Sequence, residues 1–425
     1  MDASIIALII IGVALVLYIT EPIPIAVTSI LACLALAIFG VIPINTAFSG
    51  FGNDIVYLMA GMVVVGNTLF ETGVAQKIGK LIIRLVGSNE KVFIIILILI
   101  ATIPAAFLSN TAAAAMMLPI ATAAIAASGG KFSKKNTYMI VGIAAVTSGG
   151  LTVVGSPPQL IAQNLLQEGG HNTIGFFELS LVGLPVIALL ILFYLTIGNK
   201  LQKKVFNFPE VAEDASTFSL DTDSDKPKSV VKMWISVAVL VFCVVGFISG
   251  LWTVGIVAMV GASVCIITRC ISQKRAYQTM DWTTIIVIAC SLGLSAGLDQ
   301  SGAGNLIART VVDFLGEGVS PWFLAAALAL VAVILTNFMS STATAALLIP
   351  IAISIALDLG FDAKSMAMAV VIAGNISYAT PVSTPPMTMT LSAGYRFMDY
   401  VKIGGLFTLL AYVLVILLFP FVLSF

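Results

Sequence analysis

The chain alternates long apolar runs with short polar breaks. The runs cover 4–20, 24–40, 54–72, 91–127, 137–167 and 178–198, and then 232–249, 253–268, 282–299, 321–357, 364–392 and 403–424. A membrane-spanning helix needs about 20 consecutive apolar residues, whereas a membrane β-barrel shows short alternating strands. The pattern therefore predicts an all-α polytopic membrane protein, and the composition agrees, with 60% hydrophobic and 9% charged residues.

One polar motif occurs twice inside this apolar pattern. Phe-Leu-Ser-Asn-Thr-Ala at 107–112 returns as Phe-Met-Ser-Ser-Thr-Ala at 338–343, and further pairs follow in the same order: 71–73 with 300–302, and 152–158 with 380–386. Matching polar, Pro-broken segments in two membrane halves indicate the binding site of a transporter. The repetition predicts a first repeat over 1–198, a cytoplasmic linker over 199–231 and a second repeat over 232–425.

The runs 91–127 and 321–357 each carry a polar triplet at mid-run, Ser109–Thr111 and Ser340–Thr342. Each run is either two full crossings or one re-entrant helical hairpin. Ser, Asn and Thr cap the free N–H groups at a helix N-terminus, so a triplet before an Ala-rich helix favours the hairpin. Each repeat then has five crossings, and the two repeats are inverted relative to each other.

The charge distribution predicts the orientation. With this topology, every Lys and Arg except Arg309 and Lys364 falls on one side of the membrane. Cytoplasmic loops carry the excess of Lys and Arg, so both termini are expected on the outer side of the cell membrane. If each triplet-containing run crossed the membrane twice instead, the loops would lie on the same sides. The charges therefore do not distinguish a hairpin from two full crossings. Segments 76–87 and 304–315 are amphipathic and are expected along the membrane interface, and the linker is expected to be helical only near its start.

Four interrupted elements are expected to meet near the membrane midplane: the two triplets and the breaks at Gly155–Pro158 and Ser383–Pro386. Proline lacks an N–H and disfavours helix in the preceding residue, so each break unwinds a helix. Freed carbonyls and hydroxyls suit a hard cation such as sodium, while helix N-termini suit an anion. The four elements contain no charged side chain. Neutral dipoles would then bind the anion, and co-bound cations would offset its charge.

These motifs, together with 149–158 and 394–402, resemble the divalent anion:sodium symporter family, over nearly the whole chain. The resemblance implies an elevator-type transporter with a scaffold domain that forms a homodimer. It implies two sodium sites, one from Ser109, Asn110 and Gly155 and one from Thr336, Ser341, Thr342 and Ser383. It also implies an anion between the triplets, in contact with Ser109, Asn110, Thr111, Ser156, Ser340, Ser341, Thr342, Thr384 and Pro385.

The chain departs from the family pattern at four positions. Family members have Asn in the middle of both triplets and after each Pro-Pro pair, where this chain has Ser341, Gln159 and Met387. They also carry a hydroxyl four residues before the first triplet, where this chain has Ala105. The loss of the amide from the second triplet removes a donor for a carboxylate, and the loss of an oxygen ligand weakens one cation site, so the identity of the anion and the sodium stoichiometry stay open.

The leading functional prediction is sodium-coupled import of a small divalent anion, such as the C4-dicarboxylates succinate and malate. The alternative is an exchanger or proton-coupled carrier for sulfate, citrate or another anion. An intramembrane enzyme is a remote alternative, because the single histidine, His171, falls in a predicted outside loop. Glu71 is expected to cap a helix or form an ion pair rather than carry a proton. No cofactor beyond the coupling ions and no nucleic-acid partner is expected.

Overall fold

A computed structural model describes the protein at residues 2–20, 22–74, 90–107, 109–127, 132–207, 229–249, 251–280, 282–303, 306, 320–381 and 383–423. Within these residues the fold is entirely helical. The amphipathic segments expected at 76–87 and 304–315 lie outside the described residues, apart from Leu306, and so does most of the expected linker.

The first half contains α1 to α10. Their bounds are Ala3–Thr20 (α1), Ile25–Ile38 (α2), Ile44–Ala47 (α3), Asp54–Glu71 (α4), Glu90–Phe107 (α5), Asn110–Ala127 (α6), Lys134–Gly149 (α7), Pro157–Glu168 (α8), Ser180–Phe193 (α9) and Asn199–Val205 (α10). A π-helical turn, Tyr194–Gly198, joins α9 to α10.

The second half repeats this order. Its helices are Val230–Ser249 (α11), Val254–Ile267 (α12), Gln273–Gln278 (α13), Trp282–Ser301 (α14), Pro321–Phe338 (α15), Ser341–Leu359 (α16), Ala363–Gly374 (α17), Pro385–Met389 (α18) and Phe397–Val422 (α19). Each helix from α11 to α18 follows its counterpart at nearly the same separation along the chain. The unwound stretch between α17 and α18, residues 375–384, is longer than the one between α7 and α8, residues 150–156, and α18 is shorter than α8. The first and second break are these two stretches together with the residues that flank them.

Seven helical stretches of the described residues are long and apolar enough to cross a membrane, and five shorter helices are also apolar. The seven are Glu90–Phe107, Ser180–Val205, Val230–Phe247, Trp282–Ser301, Pro321–Phe338, Ser341–Leu359 and Phe397–Val422. The apolar runs of the sequence therefore correspond to helices, and the predicted all-α class is confirmed.

The helices pack as two groups, each built from matching parts of both halves. The first group contains α1–α4 with α11, α12 and α14, and its main contacts are α4 with α12 and α2 with α14. The second contains α5–α9 with α15–α19, and its main contacts are α5 with α7, α15 with α17 and α16 with α17. The helices α14 and α4 contact the second group through α8, α16 and α6.

Contacts between the halves are reciprocal. The helix α2 packs on α14 while α12 packs on α4, and α8 packs on α16 while α18 packs on α6. The second contact of each pair is the first contact with the two halves exchanged. The counterparts of α2 and α14 are α12 and α4, and the counterparts of α8 and α16 are α18 and α6. Such an exchange is the contact pattern of a two-fold arrangement of similar units.

Ion pairs connect helix ends that are distant in the sequence. Lys203 Nζ lies 2.6 Å from Glu90 Oε2, and Arg275 Nε lies 3.0 Å from Glu71 Oε1. All four residues belong to segments that the charge distribution predicts on the cytoplasmic side. The expectation that Glu71 forms an ion pair is thus confirmed.

A second set of polar contacts joins ends that are predicted outside. Lys364 Nζ lies 2.7 Å from Glu178 Oε2, and Asn53 Nδ2 donates to Glu168 Oε1 at 2.6 Å. Because Lys364 is one of the two cations expected outside, its pairing with another outside residue agrees with the predicted sides.

Small residues allow α4 and α12 to approach closely. A Cβ added to Gly61 would lie 2.6 Å from the backbone oxygen of Ala258. Small residues bring helix backbones together in membrane proteins, where packing rather than water exclusion drives association. Gly61 therefore sets the distance between the two helices.

We expect Gly61→Ala to destabilise the protein by about 1–3 kcal/mol, because overpacking forces the backbones apart. The matched control is Gly12→Ala, since no atom lies within 4 Å of a Cβ at that helical position. This control should be neutral or slightly stabilising because Ala favours helix over Gly. Thermal unfolding of both variants in detergent tests the prediction, and equal melting temperatures would contradict it.

Candidate functional site

The first triplet forms the N-terminus of α6. After α5 ends at Phe107, Ser109 Oγ accepts a hydrogen bond from Ala112 N at 3.2 Å, and Ser109 O accepts from Ala113 N at 3.0 Å. Ser109 therefore caps a helix of 18 residues. The N–H groups and the positive end of the helix dipole at this terminus favour an anion.

The second triplet repeats this arrangement at α16. Ser340 Oγ accepts from Ala343 N at 3.1 Å, and Thr344 Oγ1 donates to Ser340 O at 3.1 Å. Ser341 and Thr342 form the first turn of the helix. The structure thus bears out the expectation that both triplets begin helices.

Two threonines connect the breaks to the tips of the paired helices. Thr152 Oγ1 donates to Ala106 O, and Thr380 Oγ1 donates to Asn337 O at 2.6 Å. Both hydrogen bonds are buried, and they join equivalent positions of the two halves. Each break is therefore held at the level of the adjacent helix tip.

The first break brings together Asn110, Gly149 and Gly155. A Cβ on Gly149 would lie 1.9 Å from Asn110 Oδ1, and a Cβ on Gly155 would lie 2.3 Å from Gly149 O. Gln159 Nε2 donates to Gly149 O at 2.9 Å. The Asn110 amide therefore packs directly on a glycine of the break, and only glycines admit this approach.

Ser109 lies at the same place. Together with Phe107, it lines a small gap in which the first break supplies Gly155, Ser156 and Pro157. The structure accordingly brings together Ser109, Asn110, Gly155 and Ser156, four of the residues that the family resemblance implies for the sodium and anion sites. All these groups are uncharged oxygen or nitrogen donors and acceptors, which suits a hard cation or an anion.

The second break gathers hydroxyl and carbonyl oxygens. Ser383 Oγ donates to Ser377 O at 3.0 Å and to Thr380 O at 2.9 Å. Thr336 Oγ1, which is fully buried, donates to Gly374 O at 3.2 Å. Thr336 and Ser383 were both predicted as sodium ligands, and both lie against the unwound backbone of this break.

Thr384 is also buried at the second break. Its Oγ1 has no hydrogen-bond partner among the described residues, although the side chain is only 5% exposed. A buried hydroxyl without a partner is unfavourable, so Thr384 is suited to bind a ligand.

A cavity of about 360 Å³ lies between the two groups of helices. Its lining combines α4, the tip and first turns of α6, the end of α13 and the second break: Met62, Val63, Gly66, Asn67, Ser109, Thr111, Ala112, Ala115, Thr279 and Pro385. The volume suits a small organic molecule. None of the lining residues is charged.

The cavity contains only part of the predicted substrate site. Ser109, Thr111 and Pro385 line it, while Ser340, Ser341 and Thr342 do not. Two further polar residues of the lining, Asn67 and Thr279, were not predicted from the sequence. Asn67 could have been found, because it is a polar residue within the apolar run 54–72. Thr279 could not, because it follows a short helix with no motif.

The described residues contain no group of three or more His, Cys, Asp or Glu side chains that could hold a metal ion. The groups at the breaks include hydroxyl and carbonyl oxygens, which hard cations prefer, whereas transition metals prefer imidazole and thiolate ligands.

Comparison with known proteins identifies the family. The model of the citrate transporter family, CitMHS, matches residues 15–372. A transporter of Haemophilus influenzae is 30% identical over 424 residues, covering 94% of this chain and 88% of that protein. The sodium-dependent dicarboxylate transporter SdcS of Staphylococcus saprophyticus is 25% identical over 434 residues, covering 95% and 83%. The transporter YfbS of Escherichia coli is 34% identical over 158 residues, which are 36% of this chain and 26% of YfbS.

The fold is similar to that of a solved transporter. The YdaH transporter of Alcanivorax borkumensis superposes with a TM-score of 0.57 at 14% identity, covering 92% of this chain and 88% of that one. The motif-based resemblance to sodium-coupled anion transporters is consistent with these relatives. The chain is a transporter, not an enzyme, and it belongs to the citrate transporter family.

Proposed function

We propose that the protein imports a small divalent anion, a C4-dicarboxylate such as succinate or malate, together with sodium across the cell membrane. The observation that carries this proposal is the uncharged cavity at the N-terminus of α6, beside a first break rich in neutral oxygens. The name of the 25% identical relative SdcS supports the dicarboxylate and the sodium dependence.

The anion would lie against the first turn of α6. The backbone N–H and the hydroxyl of Thr111 would donate to a carboxylate, and the helix dipole would add a favourable field. Asn67 on α4 would supply an amide from the other group of helices. These donors carry no full charge, so the anion could leave again on either side of the membrane.

Sodium ions would supply the missing positive charge. The first would bind among Ser109, Asn110 and Gly155, and the second among Thr336, Ser341, Thr342 and Ser383. Because each bound cation lowers the cost of placing a dianion in the cavity, binding of anion and cations would be coupled. This coupling would let the sodium gradient drive anion uptake.

The geometry supports re-entrant hairpins rather than full crossings. The helix α5, although long enough by itself to cross a membrane, is similar in length to α7: their 18 and 16 residues span about 27 Å and 24 Å. The Thr152–Ala106 hydrogen bond holds the end of α5 beside the break after α7, and α8 then continues for 12 residues. The tip of the hairpin formed by α5 and α6 would thus lie inside the protein, whereas α8 would continue to the outer side of the membrane.

We further propose that the two halves are inverted repeats with both termini outside. The reciprocal contacts between the halves support a two-fold relation, and five crossings per half would make it an inversion. The ion pairs Glu90–Lys203 and Glu178–Lys364 join residues assigned to the same side. The excess of Lys and Arg on one side supports placing that side in the cytoplasm.

The two groups of helices support an elevator mechanism. The second group contains both hairpins and both breaks, while α4, α12 and the helices around them pack mainly with one another. The second group would carry the bound ligands past the first, which would be the fixed scaffold and would pair with a second copy in a homodimer. The cavity borders Thr279, which lies beside the basic α13, so the described state would open toward the cytoplasm.

Citrate is a second candidate substrate, favoured by the description of the matching family model. Its third carboxylate would need further donors in the same neutral cavity.

The direct test is uptake of labelled succinate into proteoliposomes under an inward sodium gradient. We expect uptake with sodium even when no anion is preloaded inside the vesicles. We expect no uptake when potassium replaces sodium. Uptake only from preloaded vesicles would indicate exchange and contradict symport. Unlabelled citrate and sulfate as competitors would rank the anions.

We expect Thr111→Val to raise the succinate KM by about 10-fold or more, because a hydrogen bond to a charged group contributes about 1.5–3 kcal/mol. The substitution keeps the side-chain shape and removes only the hydroxyl. The matched control is Thr196→Val, since the Thr196 hydroxyl donates to Leu192 O of its own helix, away from the cavity. Initial rates over a range of succinate concentrations give KM, and equal values for both variants would count against the site.

Single cysteines test the sides of the membrane. Lys274 and Leu251 are both exposed, while the five native cysteines are buried. In intact cells, a membrane-impermeant maleimide should label Leu251→Cys but not Lys274→Cys, and inside-out vesicles should reverse the result. Labelling of both from one side would overturn the proposed topology.

A further inference from the structure

Ser377 in the second break carries a hydroxyl that neither the sequence motifs nor the proposed site explains. Its side chain is fully buried, and its Oγ has no hydrogen-bond partner among the described residues. The Ser377 backbone oxygen, in contrast, accepts from Ser383 Oγ at 3.0 Å. A buried hydroxyl without a partner is unfavourable, and such a group is satisfied by a bound water, an ion or another ligand.

The repeat relates Ser377 to a specific position in the first half. The breaks align at Thr152 and Thr380, which make equivalent hydrogen bonds, and this alignment matches Ser377 with Gly149. In the first half, a Cβ on Gly149 would lie 1.9 Å from Asn110 Oδ1. A side chain at that position therefore projects into the space that the Asn110 amide fills.

The two halves divide this space differently. Asn110 corresponds to Ser341, so the second hairpin carries a short hydroxyl where the first carries an amide. The break shows the opposite difference, with no side chain at Gly149 and a hydroxymethyl group at Ser377. In the first half, the long hairpin residue Asn110 is combined with a break residue that has no side chain, Gly149. In the second half, the short hairpin residue Ser341 is combined with a break residue that has a side chain, Ser377.

We infer that Ser377 Oγ replaces the missing amide oxygen of position 341 as a ligand for the sodium ion at the second break. It would act with Thr336 Oγ1 and Ser383 Oγ, which lie against carbonyls of the same segment. Neutral hydroxyl and carbonyl oxygens are the ligands that a hard cation prefers. The inference rests on the proposed sodium coupling and explains how a second cation site survives without its amide.

Sodium-dependent thermal stabilisation of the purified protein in detergent tests this role without measuring transport. A cation that binds only the folded protein raises its melting temperature as the concentration exceeds the dissociation constant. We expect Ser377→Ala to raise the sodium concentration for half-maximal stabilisation about 10-fold, which corresponds to the loss of one ligand. Potassium should stabilise neither protein.

The matched control is Ser291→Ala. Ser291 is also fully buried, but its Oγ donates to Ile288 O of its own helix, α14, and it belongs to neither break. This control should keep the sodium response of the unmodified protein. If Ser377→Ala shows that same response, the inference is wrong while sodium coupling stands. If the unmodified protein shows no sodium response, the proposed coupling fails, and the inference fails with it.

A pair exchange makes the test independent of any general damage from Ser377→Ala. Ser341→Asn alone should weaken the sodium response, because the amide would meet the Ser377 side chain. The double variant Ser341→Asn with Ser377→Gly rebuilds the Asn110–Gly149 pair of the first half, and it should restore the response to within about twofold of the unmodified protein. A double variant no better than Ser341→Asn alone would overturn the inference.

Discussion

The site depends on how the two helix breaks satisfy their backbone. Within a membrane every unpaired N–H or carbonyl is unfavourable, so an unwound helix persists only where other parts of the protein bind its free groups. The Asn337 side chain does this in the second half, where its Oδ1 accepts from Ala379 N at 2.9 Å. In the first half, Ser180 Oγ donates to Leu151 O at 2.6 Å. Hydrogen bonds donated by Thr152 and Thr380 also hold the helix tips beside the breaks.

The second constraint is the neutrality of the cavity. A cationic side chain would bind a dianion strongly and release it slowly, whereas helix dipoles, hydroxyls and amides bind it only with help from a mobile charge. In our proposal, bound sodium ions provide that charge and leave with the anion. The uncharged cavity lining and the oxygens at the breaks are therefore two parts of one coupling mechanism in our proposal. In the same proposal, movement of one helix group past the other would carry the bound ligands across the membrane.

Much of this arrangement could be predicted from the sequence. The apolar runs predicted the helices, the Pro-Pro pairs predicted both breaks, and the Ser-Asn-Thr and Ser-Ser-Thr triplets predicted the helix N-termini, because these signals act locally. Contacts across the fold could not be predicted in this way. The packing of Asn110 on Gly149, the contribution of Asn67 from α4 and the orphan hydroxyl of Ser377 arise only when distant segments meet. The length of α18 was also unpredictable, since no local signal ends it.

The central claim is that anion and sodium bind together, and calorimetric titration of succinate into the purified protein tests it most directly. We predict measurable succinate binding in sodium and little or none when potassium replaces it. By linkage, succinate should raise the sodium affinity by the same factor that sodium raises the succinate affinity. Equal succinate affinity in sodium and potassium would contradict the account.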